Sequence, residues 1–179
     1  MSMTRKAAII GGGVIGGGWA ARFLLNGWNV SVFDPDPQAE RKISEVMANA
    51  RAALPALSDV PMPAEGVLSF AATITEAVDG ADYIQESVSE RLDLKHRVFA
   101  QIQQSAELGT PIGSSTSGFK PSELQEGAAN PSVIFVAHPF NPVYLLPLAE
   151  VVPSAKSDPV VIENAKKILR EIGMFPLHV

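Results

Sequence analysis

Ala7-Ala8-Ile9-Ile10-Gly11-Gly12-Gly13-Val14-Ile15-Gly16-Gly17-Gly18-Trp19-Ala20 decides how this chain folds. Four apolar residues read as a short buried strand, the glycines at 11, 13 and 16 as a tight turn, and the residues that follow as a helix. Gly11 allows the turn, Gly13 lets a diphosphate approach the backbone, and Gly16 lets the helix lie close to the strand. The N–H groups that open the helix, at Val14 and Ile15, then face the phosphates at the positive end of the helix dipole. The further glycines at 12, 17 and 18 are redundant for this purpose.

The next residues fit the same reading. Trp19, Ala20, Phe23 and Leu24 give a helical apolar stripe. Asn26-Gly27 ends the helix, and Asn29 to Phe33 forms a second strand that stops at Asp34. An acidic residue about 20 positions beyond the glycines suits the adenosine ribose hydroxyls and repels a 2′-phosphate, which favours NAD over NADP. The competing role for Asp34 is to open the Asp34-Pro35-Asp36-Pro37 turn.

The composition limits the possible partners. A chain of 179 residues suits one domain, and a net charge of −5 argues against nucleic acid or an anionic membrane. There is no cysteine, which excludes disulfides and thiolate chemistry and suits the cytoplasm, where we expect the protein to reside. No apolar run approaches membrane-spanning length. The opening Met1 to Lys6 does not resemble a signal peptide, and Met3 is an alternative initiator.

Further along, helical spacing runs from Pro37 to Leu54, and Pro55 to Gly66 reads as a loop. A strand over Val67 to Ala72, a short helix from Thr73 to Val78 and a strand over Ala81 to Gln85 follow. Glu90 to Ala106 is a helix, Pro111 to Gly113 a strand and Pro121 to Leu124 a short helix. Strands at Val133 to Ala137 and Leu145 to Val152, a helix from Ser157 or Asp158 to Ile172 and a strand over Met174 to Val179 complete the chain. This alternation predicts an α/β fold of Rossmann type: a doubly wound, mostly parallel sheet with helices on both faces.

In such sheets, ligands bind outside the carboxyl ends of the strands. The polar clusters fall there: the glycine turn, Asp34, Glu86-Ser87, Ser114 to Gly118, and His138 to Asn141. His138 is the candidate base, since alcohol oxidation needs a group to take the hydroxyl proton and imidazole exchanges protons near neutral pH. Glu150, twelve residues on, is the carboxylate that could orient it, while Ser117 and Asn141 could bind the substrate oxygen. A turn residue with a satisfied imidazole is the competing reading of His138. His96 reads as solvated and His178 has no evident partner. Histidines so scattered do not suggest a metal site.

The glycine fingerprint, Glu86-Ser87-Val88-Ser89-Glu90, Ser114-Ser115-Thr116-Ser117-Gly118 and His138-Pro139-Phe140-Asn141-Pro142 through Glu150 together resemble the 3-hydroxyacyl-CoA dehydrogenase family. The resemblance covers nearly the whole chain. It implies that His138 is the catalytic base, Glu150 its partner, and Ser117 and Asn141 substrate contacts, with Glu90 and Lys95 meeting the nicotinamide side of NAD and Ser117 also touching the cofactor. It also implies a helical second domain, beyond these 179 residues, that completes the substrate site and forms most of a homodimer interface. Without it the chain is expected to bind NAD but turn over little. The run from His138 to Leu148 most resembles the family branch that oxidises the 3-hydroxyl of L-carnitine to 3-dehydrocarnitine. Phe140 and Tyr144 then become candidates to face the trimethylammonium. A 3-hydroxyacyl-CoA or a gulonate-type acid is the alternative substrate. A non-catalytic NAD-binding or sensing module is the alternative of another class.

Overall fold

A computed structural model describes residues 5–179; Met1 to Thr4, with Met3 as an alternative initiator, lie outside it. Every strand of the central sheet is short. In chain order these are β1 (Lys6–Ile10), β2 (Asn29–Phe33), β3 (Leu68–Phe70), β4 (Tyr83–Glu86), β5 (Ile112–Ser114), β6 (Ile134–Pro139), β7 (Leu148–Val152) and β8 (Phe175–His178). They form one sheet in the order β3-β2-β1-β4-β5-β6-β7-β8. The first six run parallel. Strand β7 is antiparallel to β6, and β8 is parallel to β7. A parallel step needs a crossover of a dozen or more residues. The link from Pro139 to Leu148 is shorter, so β7 turns straight back beside β6.

Among the described residues, six helices cover the sheet: α1 (Val14–Leu25), α2 (Ala39–Ala53), α3 (Ile74–Val78), α4 (Leu92–Ser105), α5 (Pro121–Leu124) and α6 (Pro159–Glu171). Each starts where local chemistry permits. Thr73 Oγ1 accepts the N–H of Glu76 to cap α3, and Asp158 accepts that of Val160 to cap α6, with Pro159 in the first turn. Trp19, Phe23, Ile43, Met47, Tyr83, Phe135 and Leu169 build the core on one face, with α1, α2 and α6. Ile10, Ile84, Phe99, Ile102 and Ile134 build the other, with α3, α4 and α5. Both faces of the central strands are thereby buried, as a doubly wound sheet requires.

The observed boundaries differ from the expected ones in ways that affect the site. Helix α4 starts at Leu92, leaving Glu90 in the loop before it, and β6 runs on through His138 to Pro139. Strand β3 keeps only three residues, and a 3-10 turn, Leu54–Leu57, opens the loop that follows α2. His96 is half buried rather than solvated, with its Nε2 2.7 Å from the Glu123 carbonyl oxygen.

Candidate active site

The glycine turn joins β1 to α1. Gly11 has φ +102, and a Cβ on Gly16 would lie 1.8 Å from the Gly11 carbonyl oxygen. The turn therefore excludes side chains at both positions. Gly13 and Val14 are exposed at the start of α1, where no side chain caps the helix, so its first N–H groups are left free. Gly18, which looked redundant, seats Val143: an added Cβ would approach the Val143 Cβ to 2.7 Å. Arg22 on the same helix is buried and donates through Nε to the Val143 carbonyl (3.0 Å). Burial lowers its guanidinium to about 10. Helix α1 thus holds the loop that follows His138 as well as opening towards a phosphate site.

Asp34 opens the turn that follows β2, as its competing role required. Its two carboxylate oxygens accept the N–H of Gly12 and of Asp36, which ties the glycine turn to the end of β2. Asp34 also lines a cleft of about 350 Å³ with Gly11, Gly13, Ile74, Ser87 and Val98. An apolar wall with one carboxylate at its rim suits an adenosine with free ribose hydroxyls. Together with the free helix N-terminus, these residues fit a dinucleotide.

The second half of the site lies at the ends of β6 and β7. Antiparallel pairing puts His138 opposite Glu150 in the register, and His138 Nδ1 lies 3.0 Å from Glu150 Oε2. With Nδ1 engaged, Nε2 is the nitrogen left for substrate. His138, Glu150, Ser117 and Lys120 line one hollow of about 250 Å³. Asn141 is exposed on the loop beyond and is not part of that lining. The exposed Phe140 ring meets the His138 ring edge to face, with centroids 5.5 Å apart. Tyr144 instead leans on the core beneath α1.

Glu90 and Lys95 belong to a clasp that sequence spacing did not reveal. The Lys95 ammonium is buried and donates to Glu86 Oε1 at 2.8 Å and to the Val88 carbonyl at 3.3 Å, and it lies 3.3 Å from Glu90 Oε2. Glu86, fully buried, also accepts the Ser114 hydroxyl and the Val88 N–H. Burial pushes the Glu86 carboxyl up, against the pull of Lys95 and those donors. Glu90 Oε1 accepts the Thr116 hydroxyl and the N–H groups of Ser117 and Gly118. Partial burial pushes the Glu90 carboxyl up, but the Thr116 hydroxyl, Lys95 and the Gly118 N–H outweigh it and hold it low. The three charges therefore fix the Ser117 turn beside His138. The available signal was a lysine nine residues after a glutamate at a strand end, where exposed and buried pairing look alike.

Residues 6–179 match the family described as 3-hydroxyacyl-CoA dehydrogenase, NAD binding domain. A protein from Ruegeria pomeroyi named L-carnitine dehydrogenase/betainyl-CoA thioesterase is 68% identical over 97% of this chain and 36% of its own length. L-carnitine dehydrogenase from Mesorhizobium japonicum is 57% identical over 99% of this chain and 49% of its own. The chain thus spans about half or less of these relatives. Among solved structures, an NAD+-dependent dismutase, 5-formyl-3-hydroxy-2-methylpyridine 4-carboxylic acid 5-dehydrogenase, superposes with a TM-score of 0.90 at 32% identity, covering 99% of this chain and 58% of that one. The (S)-3-hydroxybutyryl-CoA dehydrogenase of Ralstonia eutropha shares the fold, with a TM-score of 0.85 at 20% identity over 98% of this chain and 63% of that one. The glycine turn with Asp34, the paired His138 and Glu150, and a family match over nearly the whole length lead to one assignment: this chain belongs to the 3-hydroxyacyl-CoA dehydrogenase family, as its NAD-binding domain.

Proposed function

We propose that this chain is the cofactor and proton-transfer half of a cytoplasmic enzyme that oxidises the 3-hydroxyl of L-carnitine. The 3.0 Å contact between His138 Nδ1 and Glu150 carries the reading. A non-catalytic NAD module has no use for an oriented imidazole facing an open hollow, whereas alcohol oxidation needs a base at that place. NAD, held by the glycine turn and Asp34, supplies the hydride acceptor. His138 takes the hydroxyl proton on Nε2, Glu150 stabilises the imidazolium, and Ser117 and Asn141 orient the substrate oxygen.

The two charged ends of carnitine find matching groups nearby. Phe140 offers an exposed aromatic face to the trimethylammonium, and Lys120, at the lip of the hollow, is the cation for the carboxylate. Tyr144, packed on the core, is not assigned to the cage. The relatives' greater length leaves room for the second domain we infer, which would close the hollow and form a homodimer. Phe175 and Leu177, exposed on the edge strand β8, are apolar surface available to it.

The test is His138→Ala in the full-length protein. Carnitine-dependent kcat should fall about 10²–10⁴-fold, the range for a positioned base, with NAD+ affinity retained. An unchanged kcat would remove His138 from the chemistry.

A further inference from the structure

Beneath the site lies a set of hydrogen bonds whose direction follows from the donors alone. Ser115 Oγ receives the Trp19 indole N–H at 3.1 Å and a Gln85 side-chain N–H at 2.8 Å. Neither partner can accept in return. An indole N–H only donates, and the Gln85 amide is fixed in orientation because its other hydrogen meets the Ala137 carbonyl (3.1 Å) while its oxygen takes the Tyr83 hydroxyl (2.9 Å). Both lone pairs of Ser115 Oγ are therefore filled. Its one hydrogen must go to Ser87 Oγ, 2.8 Å away. Ser87 is then the acceptor in that pair, and its own hydrogen has no acceptor among the described residues.

The position of Ser87 indicates what that hydrogen meets. Ser87 follows β4 and abuts the glycine turn: its N–H donates to the Ile10 carbonyl (2.7 Å), and its carbonyl group would lie 2.6 Å from a Cβ on Gly11. Strand order puts Asp34, after β2, on one side of that turn, and Ser87 and Ser115, after β4 and β5, on the other. With the adenosine at Asp34 and the diphosphate at the turn, the other nucleoside of the dinucleotide extends over β4 and β5.

We propose that Ser87 Oγ is a hydrogen-bond donor to an oxygen of the nicotinamide-side nucleoside of NAD. This rests on the assignment of NAD as cofactor. Tyr83, Gln85, Trp19 and Ser115 keep the Ser87 hydroxyl from donating into the network, so its hydrogen is left for the cofactor.

The test is calorimetric titration of the protein with NAD+ and, separately, with ADP, which lacks the second nucleoside. Ser87→Ala should raise the Kd for NAD+ about fivefold, the scale of one hydrogen bond, and leave the Kd for ADP unchanged. Ser87→Thr, which keeps the hydroxyl, should bind NAD+ within about twofold of the unsubstituted protein. An unchanged NAD+ affinity in Ser87→Ala, or equal losses for NAD+ and ADP, would overturn the proposal. Binding of ADP but not NAD+ by the unsubstituted protein would instead overturn the cofactor assignment itself, and Ser87 with it.

Discussion

Glu150 faces His138 because two strands run in opposite directions past each other, so the pair is only as good as the hydrogen bond between its side chains. Replacing Glu150 by Gln keeps the size and removes the charge that stabilises an imidazolium. Carnitine-dependent kcat should fall by about one to three orders of magnitude, less than for loss of the base itself, with KM for NAD+ nearly unchanged. Steady-state kinetics on the full-length variant would show it, and a wild-type kcat would mean that Glu150 is structural. These two residues were legible from spacing, as was Asp34, since each combines a chemistry-bearing side chain with a strand end. Lys95 was not legible in the same way. The family resemblance put it on the nicotinamide side of NAD, yet its ammonium is 1% exposed and paired with Glu86, buried opposite.

The clasp belongs to β4, α4 and the turn after β5 together, and its energetics follow from burial. Removing one member of a buried ion pair leaves the other charge uncompensated. Lys95→Met should destabilise the protein by about 3–5 kcal/mol in urea unfolding, and the double variant Lys95→Met with Glu86→Leu should recover much of that loss. Equal stability of Lys95→Met and the unsubstituted protein would show that the pair contributes little. Helix α1 gives a second case. Gly18 gives Val143 its place, so Gly18→Leu should cost about 1–3 kcal/mol by overpacking and displace the loop that carries Asn141. A thermal melt alongside carnitine KM would register both effects. From sequence this glycine looked superfluous, because its partner is 125 positions away and only the fold brings them together. Apolar periodicity revealed α1, α2, α4 and α6 with boundaries off by a residue or two; the direction of β7 was hidden, since it depends on the length of a loop rather than on any residue in it.

At the scale of the whole molecule, the sheet places two features along one rim: a cleft that fits a dinucleotide over β1, β2 and β4, and the His138–Glu150 pair over β6 and β7. Among the described residues no helix is long and apolar enough to cross a membrane. Ligand binding should be visible in stability. NAD+ at about 100 times its Kd should add about 2.7 kcal/mol to unfolding, and raise Tm accordingly, if it binds only the folded state. A Tm that ignores NAD+ would contradict the cleft assignment. The alternation of strands and helices made the doubly wound architecture readable, whereas the substrate was read only from the resemblance carried by the run from His138 to Leu148, since the hollow beside His138 does not by itself select one. The most direct measurement is therefore NADH formation by the full-length protein with L-carnitine against a short-chain 3-hydroxyacyl-CoA at equal concentration. NADH should form with L-carnitine, be lost in His138→Ala, and form little with the thioester; rapid oxidation of the thioester with L-carnitine inert would rule out L-carnitine as the substrate.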